Sequence, residues 1–184
     1  MIEPFNLEKL LEKGAISSEL EYERAMEASK SLRLMSRDNS KYVLMKKKLI
    51  DIIERYEKRE WSNVDSVGDL KIKESDEAEA FILRERTFIV HRQKRIKQRL
   101  REMKMSQADL TTILGHKSKT YISELMNGIS PFTLRDLIIL HHFLSIEMKE
   151  LVPTFLNKYE LERLKQIRLE FVSKPSSKTK TNFV

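Results

Sequence analysis

Apolar side chains recur at helical spacing along most of this chain. Ile82, Ile89, Ile96 and Met103 stand seven residues apart, with Phe81, Phe88 and Leu100 beside them. That is the seam of a helix built to pack along another helix, in this chain or in a second copy. Tyr42, Met45, Leu49, Ile52, Ile53 and Tyr56 form another such stripe between Lys41 and Trp61. Four Gly and four Pro among 184 residues are too few for the many tight turns of a sandwich or barrel. Charged residues make up 34% of the chain, and their Glu/Lys/Arg bias favours helices. The expected fold is all-α.

Several chemistries are excluded by what the sequence lacks. There is no Cys, so neither disulfide staples nor thiolate metal sites can form. No run of roughly 18 apolar residues is long enough to span a bilayer. Residues Met1 to Lys13 carry Glu3, Glu8 and Glu12 and do not resemble a secretory signal. The cytoplasm is the expected compartment. The four histidines are His91, His116, His141 and His142. Adjacent His141 and His142 point about 100° apart on a helix and cannot chelate as an i, i+4 pair would. His141 falls on an apolar face and reads as a satisfied core residue. With no phosphate loop, no H-E-x-x-H and no G-x-S-x-G, no catalytic residue, cofactor or metal is expected.

Charge is unevenly placed. Residues 1–80 hold 15 basic and 18 acidic side chains, and residues 81–184 hold 20 basic and 10 acidic ones. The segment HRQKRIKQRLR, His91 to Arg101, is the most basic stretch. A basic second half favours an acidic partner, with nucleic acid the first candidate. The Lys46 to Lys48 triplet reads as a solvated helix face.

The expected organisation has five parts. Residues 1–61 form an N-terminal helical region. It opens on a short helix, Asn6 to Lys13, closed by Gly14, then a helix capped by Ser18, and a turn cluster at Arg37 to Ser40. Residues 62–75 form a linker, in which Val64, Val67, Leu70 and Ile72 leave a short extended segment open. Residues 76–153 form a domain that begins with a long helix, Asp76 to Lys104. Residues 154–172 carry a trailing helix with Leu161, Leu164, Ile167 and Phe171 at helical spacing. Residues 173–184 form a disordered basic tail.

The informative stretch runs from Met105 to Pro153. Ser106 caps a short helix whose inner face is Leu110, Ile113 and Leu114. Gly115 ends it, because a tight turn there needs a residue that tolerates positive φ. Ser118 caps a second short helix with Tyr121, Ile122, Leu125 and Met126 available for packing, and Gly128 closes it. Thr133 caps a third. Two short helices joined by a Gly-containing turn form a helix-turn-helix, whose second helix can enter the major groove. Its outer residues are small, polar or basic: Ser118, Lys119, Thr120, Ser123 and Asn127.

This stretch resembles the Cro/C1-type (XRE) helix-turn-helix family. Ser106-Gln107, Leu110-Thr111, Leu114-Gly115, Ile122-Ser123 and Gly128 match its pattern, with Thr111 where the family has Ala. One extra residue lies between Gly115 and Ile122. That longer form, together with the N-terminal phrase Ser18 to Leu32, is similar to the HigA branch of antitoxins. Ile129 to Phe132 depart from it by lacking the basic residues that follow the closing Gly. The resemblance implies a five-helix repressor-like core and a dimer on a two-fold related duplex DNA operator. It further implies autorepression and neutralisation of a RelE-like (HigB-type) ribonuclease toxin by the N-terminal region.

By the same resemblance, Gln107 contacts the DNA backbone, and Ser118, Lys119, Thr120 and Ser123 read bases. Basic side chains of the His91 to Arg101 segment, Arg95 and Arg99 among them, and Lys117 are expected to meet phosphates. Tyr121 either stacks on the DNA or packs inward. Glu124 is expected as a surface charge or an intramolecular acceptor rather than as a reader of cytosine. A regulator without a toxin, and a helical adaptor that binds only protein, stand as alternatives.

Overall fold

The computed structural model describes residues 5–35, 40–62 and 68–173. Described residues are helical or irregular, without a strand, and the fold is all-α. Nine α-helices are described in two compact units, residues 1–153 and residues 154–184. In the first unit, α1 (Leu7–Lys13), α2 (Glu19–Met35) and α3 (Ser40–Glu60) precede the long α4 (Asp69–Glu102). A short 3₁₀ turn, Gln107–Asp109, leads into α5 (Leu110–Leu114), α6 (Lys119–Met126), α7 (Leu134–Leu144) and α8 (Met148–Leu151). The second unit contains α9 (Lys158–Ser173), whose first turn is capped by the Asn157 side chain on the Glu160 amide. Leu161, Leu164 and Phe171 of α9 are exposed.

The Ser18 cap and the Gly14 end stand where expected, and Asn6, read as the first residue of α1, caps it instead. Asn6 accepts from the Lys9 amide, and Gly14 ends α1 at φ +68°. Ser18 accepts from the Glu21 amide at the start of α2. The whole α3 stripe, Tyr42 through Tyr56, is buried. With Leu7, Leu10, Ile16, Ala25, Ala28 and Leu32 it builds one apolar cluster. A second cluster gathers Ile96 and Leu100 of α4 with Leu110, Leu114, Ile122, Leu125, Leu140, Leu144, Ile146 and Leu151.

Two boundaries differ from the sequence reading. Helix α4 begins at Asp69, inside the stretch expected as a linker. The reason is local and tertiary at once. Lys71 on its first turn lies 2.6 Å from Glu19 and 3.1 Å from Glu60, and it lies over the Tyr56 ring. Burial opposes the Lys71 charge, but bonds to Glu19, Glu60 and Tyr56 outweigh it and hold its pKa above the ordinary lysine value. Burial and the Glu19 carboxylate push the Tyr56 phenol up to about 12. Leu70 and Ile72, left open as extended, are therefore helical and exposed. The rest of that linker (63–67), most of the turn cluster (37–39) and the tail from 174 lie outside the described residues. At the other end, α4 stops at Glu102, so Met103 leaves the seam and is 43% exposed.

The N-terminal helices also do not stand apart from the later ones. Helix α2 packs on α3 and on α4, and ion pairs Arg24–Glu85 and Arg86–Glu27 fasten it to α4. Ile129, just past α6, is buried in the N-terminal cluster. Gly128 makes that approach at φ +72°, and a Cβ there would lie 2.7 Å from the Ile89 side chain. Gly14 has a similar φ of +68° but open space around it. Gly14→Ala should therefore cost about 1 kcal/mol of stability, from backbone strain alone. Gly128→Ala should cost about 1–2 kcal/mol, because the Ile89 Cδ1 methyl must also turn aside. Equal shifts of the two urea midpoints would refute this account.

Candidate nucleic-acid interface

Helices α5 and α6 form two short rods joined by a four-residue turn, Gly115 to Ser118. The first rod starts from a reciprocal cap. Ser106 and Asp109 bond one another through side chain and backbone, and both Ser106 donors reach Asp109 within 2.9 Å. These bonds, the Ser106 amide first, hold the Asp109 carboxyl below its ordinary range. Gly115 supplies the left-handed turn at φ +76°.

The turn is then fixed from α7. Arg135 donates to the Leu114 carbonyl at 2.9 Å and so satisfies an orphan acceptor at the end of α5. His116 Nε2 meets the buried Asp136 carboxylate at 3.0 Å. Asp136 also closes a capping box with Thr133, so one carboxylate starts α7 and anchors the turn. Ser118 accepts from the Tyr121 amide at 3.2 Å and starts α6. The outcome is a rigid approach to α6 whose leading residues, Lys117, Ser118 and Lys119, are exposed.

The expected site residues separate into three groups. Lys117, Ser118, Lys119 and the half-buried Thr120 share the leading edge of α6. Gln107 joins this edge: its Nε2 reaches the Ser123 hydroxyl at 3.4 Å, linking the start of the first rod to the second. Tyr121 packs inward, against the apolar cluster and edge-on to His116 at 5.0 Å. Burial raises its phenol pKa.

Asn127 faces α4. Its side chain donates to the Ser123 carbonyl at 2.8 Å and accepts from Gln93 at 3.2 Å. Arg95 and Arg99 do not share the α6 edge with the rest. Arg99 Nε donates to the Leu144 carbonyl at 2.6 Å, satisfying the last turn of α7, and its other end pairs with Glu102. Arg95 pairs with Glu150 of α8 at 3.2 Å. Both fasten α4 to the end of the α7–α8 segment, a structural role beside the phosphate contacts expected of them.

Four positions that fix this domain were not legible as such. Arg92 lies against the Phe132 ring at 4.9 Å and the Phe88 ring at 5.5 Å, and donates to the Leu151 carbonyl at 3.2 Å. Burial pulls its guanidinium down to about 10. Phe88, one helical turn earlier, is the signal that marks it. Arg135 and Asp136 have none, because their partners depend on how α7 crosses the turn. Glu124, on α6, is buried and accepts from Tyr42 and Ser130. It is the intramolecular acceptor of the two roles expected for it, and nothing in the sequence links it to a residue 82 positions away.

Residues 96–151 match the helix-turn-helix family model, so this part of the chain is a helix-turn-helix domain. Domains of this class support a role as a DNA-binding transcription regulator. No curated protein and no solved structure matches the chain.

Two measurements check the geometry. Arg99→Met should cost about 2 kcal/mol in urea unfolding, since it strands the Leu144 carbonyl. An unchanged midpoint would show the tie to be dispensable. Asp109 ionises more readily folded than unfolded, so its contribution is complete above the unfolded value, about 3.9, and fades as pH falls through the lower folded value. A carbon-detected NMR titration should give an Asp109 midpoint under about 3.9. A midpoint at or above that value would contradict the cap.

Proposed function

We propose that this protein is a sequence-specific, duplex-DNA-binding transcriptional repressor that acts as a dimer on a two-fold related operator. The observation that carries the reading is the open leading edge of α6. Lys117, Ser118 and Lys119 are exposed at the start of a rod narrow enough for the major groove. Thr120, Ser123 and Gln107 supply polar groups beside them. A core-filling helix would not need so polar a start. The basic second half of the chain supplies the attraction to phosphates that precedes any base reading.

Within that reading the chain is a HigA-like antitoxin. The support is the resemblance of Ser18 to Leu32 and of the longer turn between Gly115 and Ile122. A stand-alone regulator differs only in what residues 1–61 bind. Co-expression with a RelE-like toxin encoded beside it should restore growth of cells that the toxin arrests. Persistent arrest would favour the stand-alone regulator.

Duplexes selected from a randomised pool give the target for the DNA tests. Lys119→Ala with Thr120→Ala should reduce preference for the selected duplex over a scrambled one by about tenfold or more, with melting unchanged. Lys117→Ala should weaken both duplexes alike and lower the salt slope by about one. Unaltered preference in the double variant would remove α6 as the reading element.

A further inference from the structure

Helix α6 is eight residues, about 12 Å, long. Ile122, Leu125 and Met126 fill the core beneath it. Stepping about 100° per residue puts Thr120, Ser123 and Glu124 on the opposite side, the side a groove would meet. Exposure does not follow that pattern. The first turn is open, yet Glu124 is only 2% exposed.

What covers it is the N-terminal region. Tyr42 Oη donates to Glu124 Oε1 at 3.1 Å, and Lys41 Nζ lies 3.2 Å from the same oxygen. Ser130 donates to the other oxygen at 3.1 Å. Beside them the Leu7 amide, at the start of α1, donates to the Ile129 carbonyl at 3.3 Å. The Ile129 side chain is buried in the N-terminal cluster. Glu8 pairs with Lys41 at 3.2 Å, so this patch sets two carboxylates against one ammonium.

Space forbids both arrangements at once. The major groove is about 12 Å wide, and one helix with its side chains is about 10 Å across. It admits α6, not α6 with the ends of α1 and α3 seated on its outer face.

We propose that the N-terminal helices are an autoinhibitory cover: their contact with Glu124 and Ile129 masks the second turn of α6, and full docking on DNA requires the ends of α1 and α3 to lift from it. This rests on the DNA-binding reading above. Among the described residues the cover includes the Tyr42 and Lys41 bonds to Glu124 and the Leu7 amide bond to Ile129. The same bonds read as a permanent brace make the opposite prediction, that loosening them weakens DNA binding.

Lys41→Met separates the two by sign. It removes a cation, so a brace or a direct phosphate contact predicts weaker binding, whereas an unmasked α6 predicts tighter binding. The full-length protein, Tyr42→Phe, Lys41→Met and the double variant are titrated against the selected duplex at one salt concentration. The double variant should bind about three- to tenfold more tightly, since it loses two hydrogen bonds to a charged group. Equal or weaker binding with an intact thermal transition overturns the proposal. The unmodified protein gives a check free of folding defects. Saturating duplex should speed hydrogen exchange at the Leu7 amide, and slowed or unchanged exchange overturns the cover. If no form, wild type included, shows salt-dependent duplex binding, the DNA reading itself fails, and the cover with it.

Discussion

The architecture of residues 1–153 depends on one shared helix. Helix α4 has 34 residues and spans about 50 Å. Its early turns bury Ala78 and Ile82 where it runs against α2, and its late turns bury Ile96 and Leu100 in the helix-turn-helix cluster. A continuous hydrogen-bonded rod transmits orientation between its two ends. The N-terminal helices are therefore held against α6 rather than strung on a flexible connector. The contact of Ile129 with the first cluster, and the close fit of Gly128 on Ile89, are consequences of that rigid spacing.

Two buried carboxylates mark the places where this packing is specific. Glu19 meets Tyr56 and Lys71, and Glu124 meets Tyr42 and Lys41. The arrangements are alike: a carboxylate, a phenol and a lysine that reaches in from a more exposed position. Burying a carboxylate without donors would cost several kcal/mol, so each is tolerated only because its partners are in place. Such sites add little net stability, but a displaced register leaves a charge unpaired. They favour one packing over its neighbours.

Much of this fold was legible in the sequence because its signals are local. The α3 stripe, the caps at Ser18, Ser106, Ser118 and Thr133, and the ends at Gly14 and Gly115 each depend on residues within a turn of one another. The leading edge of α6 was legible for the same reason. The ties made by Arg95 and Arg99 were not legible, because a run of basic residues has no local mark of which members will be paired. Arg99 serves a carbonyl 45 positions away, and Arg95 an acid on α8. The start of α4 was misplaced because Lys71, which holds its first turn, finds its partners on α2 and α3.

Sequence alone determined the all-helical class, the helix-turn-helix and the polar start of its second helix, since spacing, capping and backbone freedom act within a few residues. Only the tertiary structure decided which charges are spent inside the molecule and which remain for a partner. It also decided that the outer face of α6 is half open and half covered by residues from the other end of the chain. Burial is a property of what packs on a side chain, and no residue carries that information by itself.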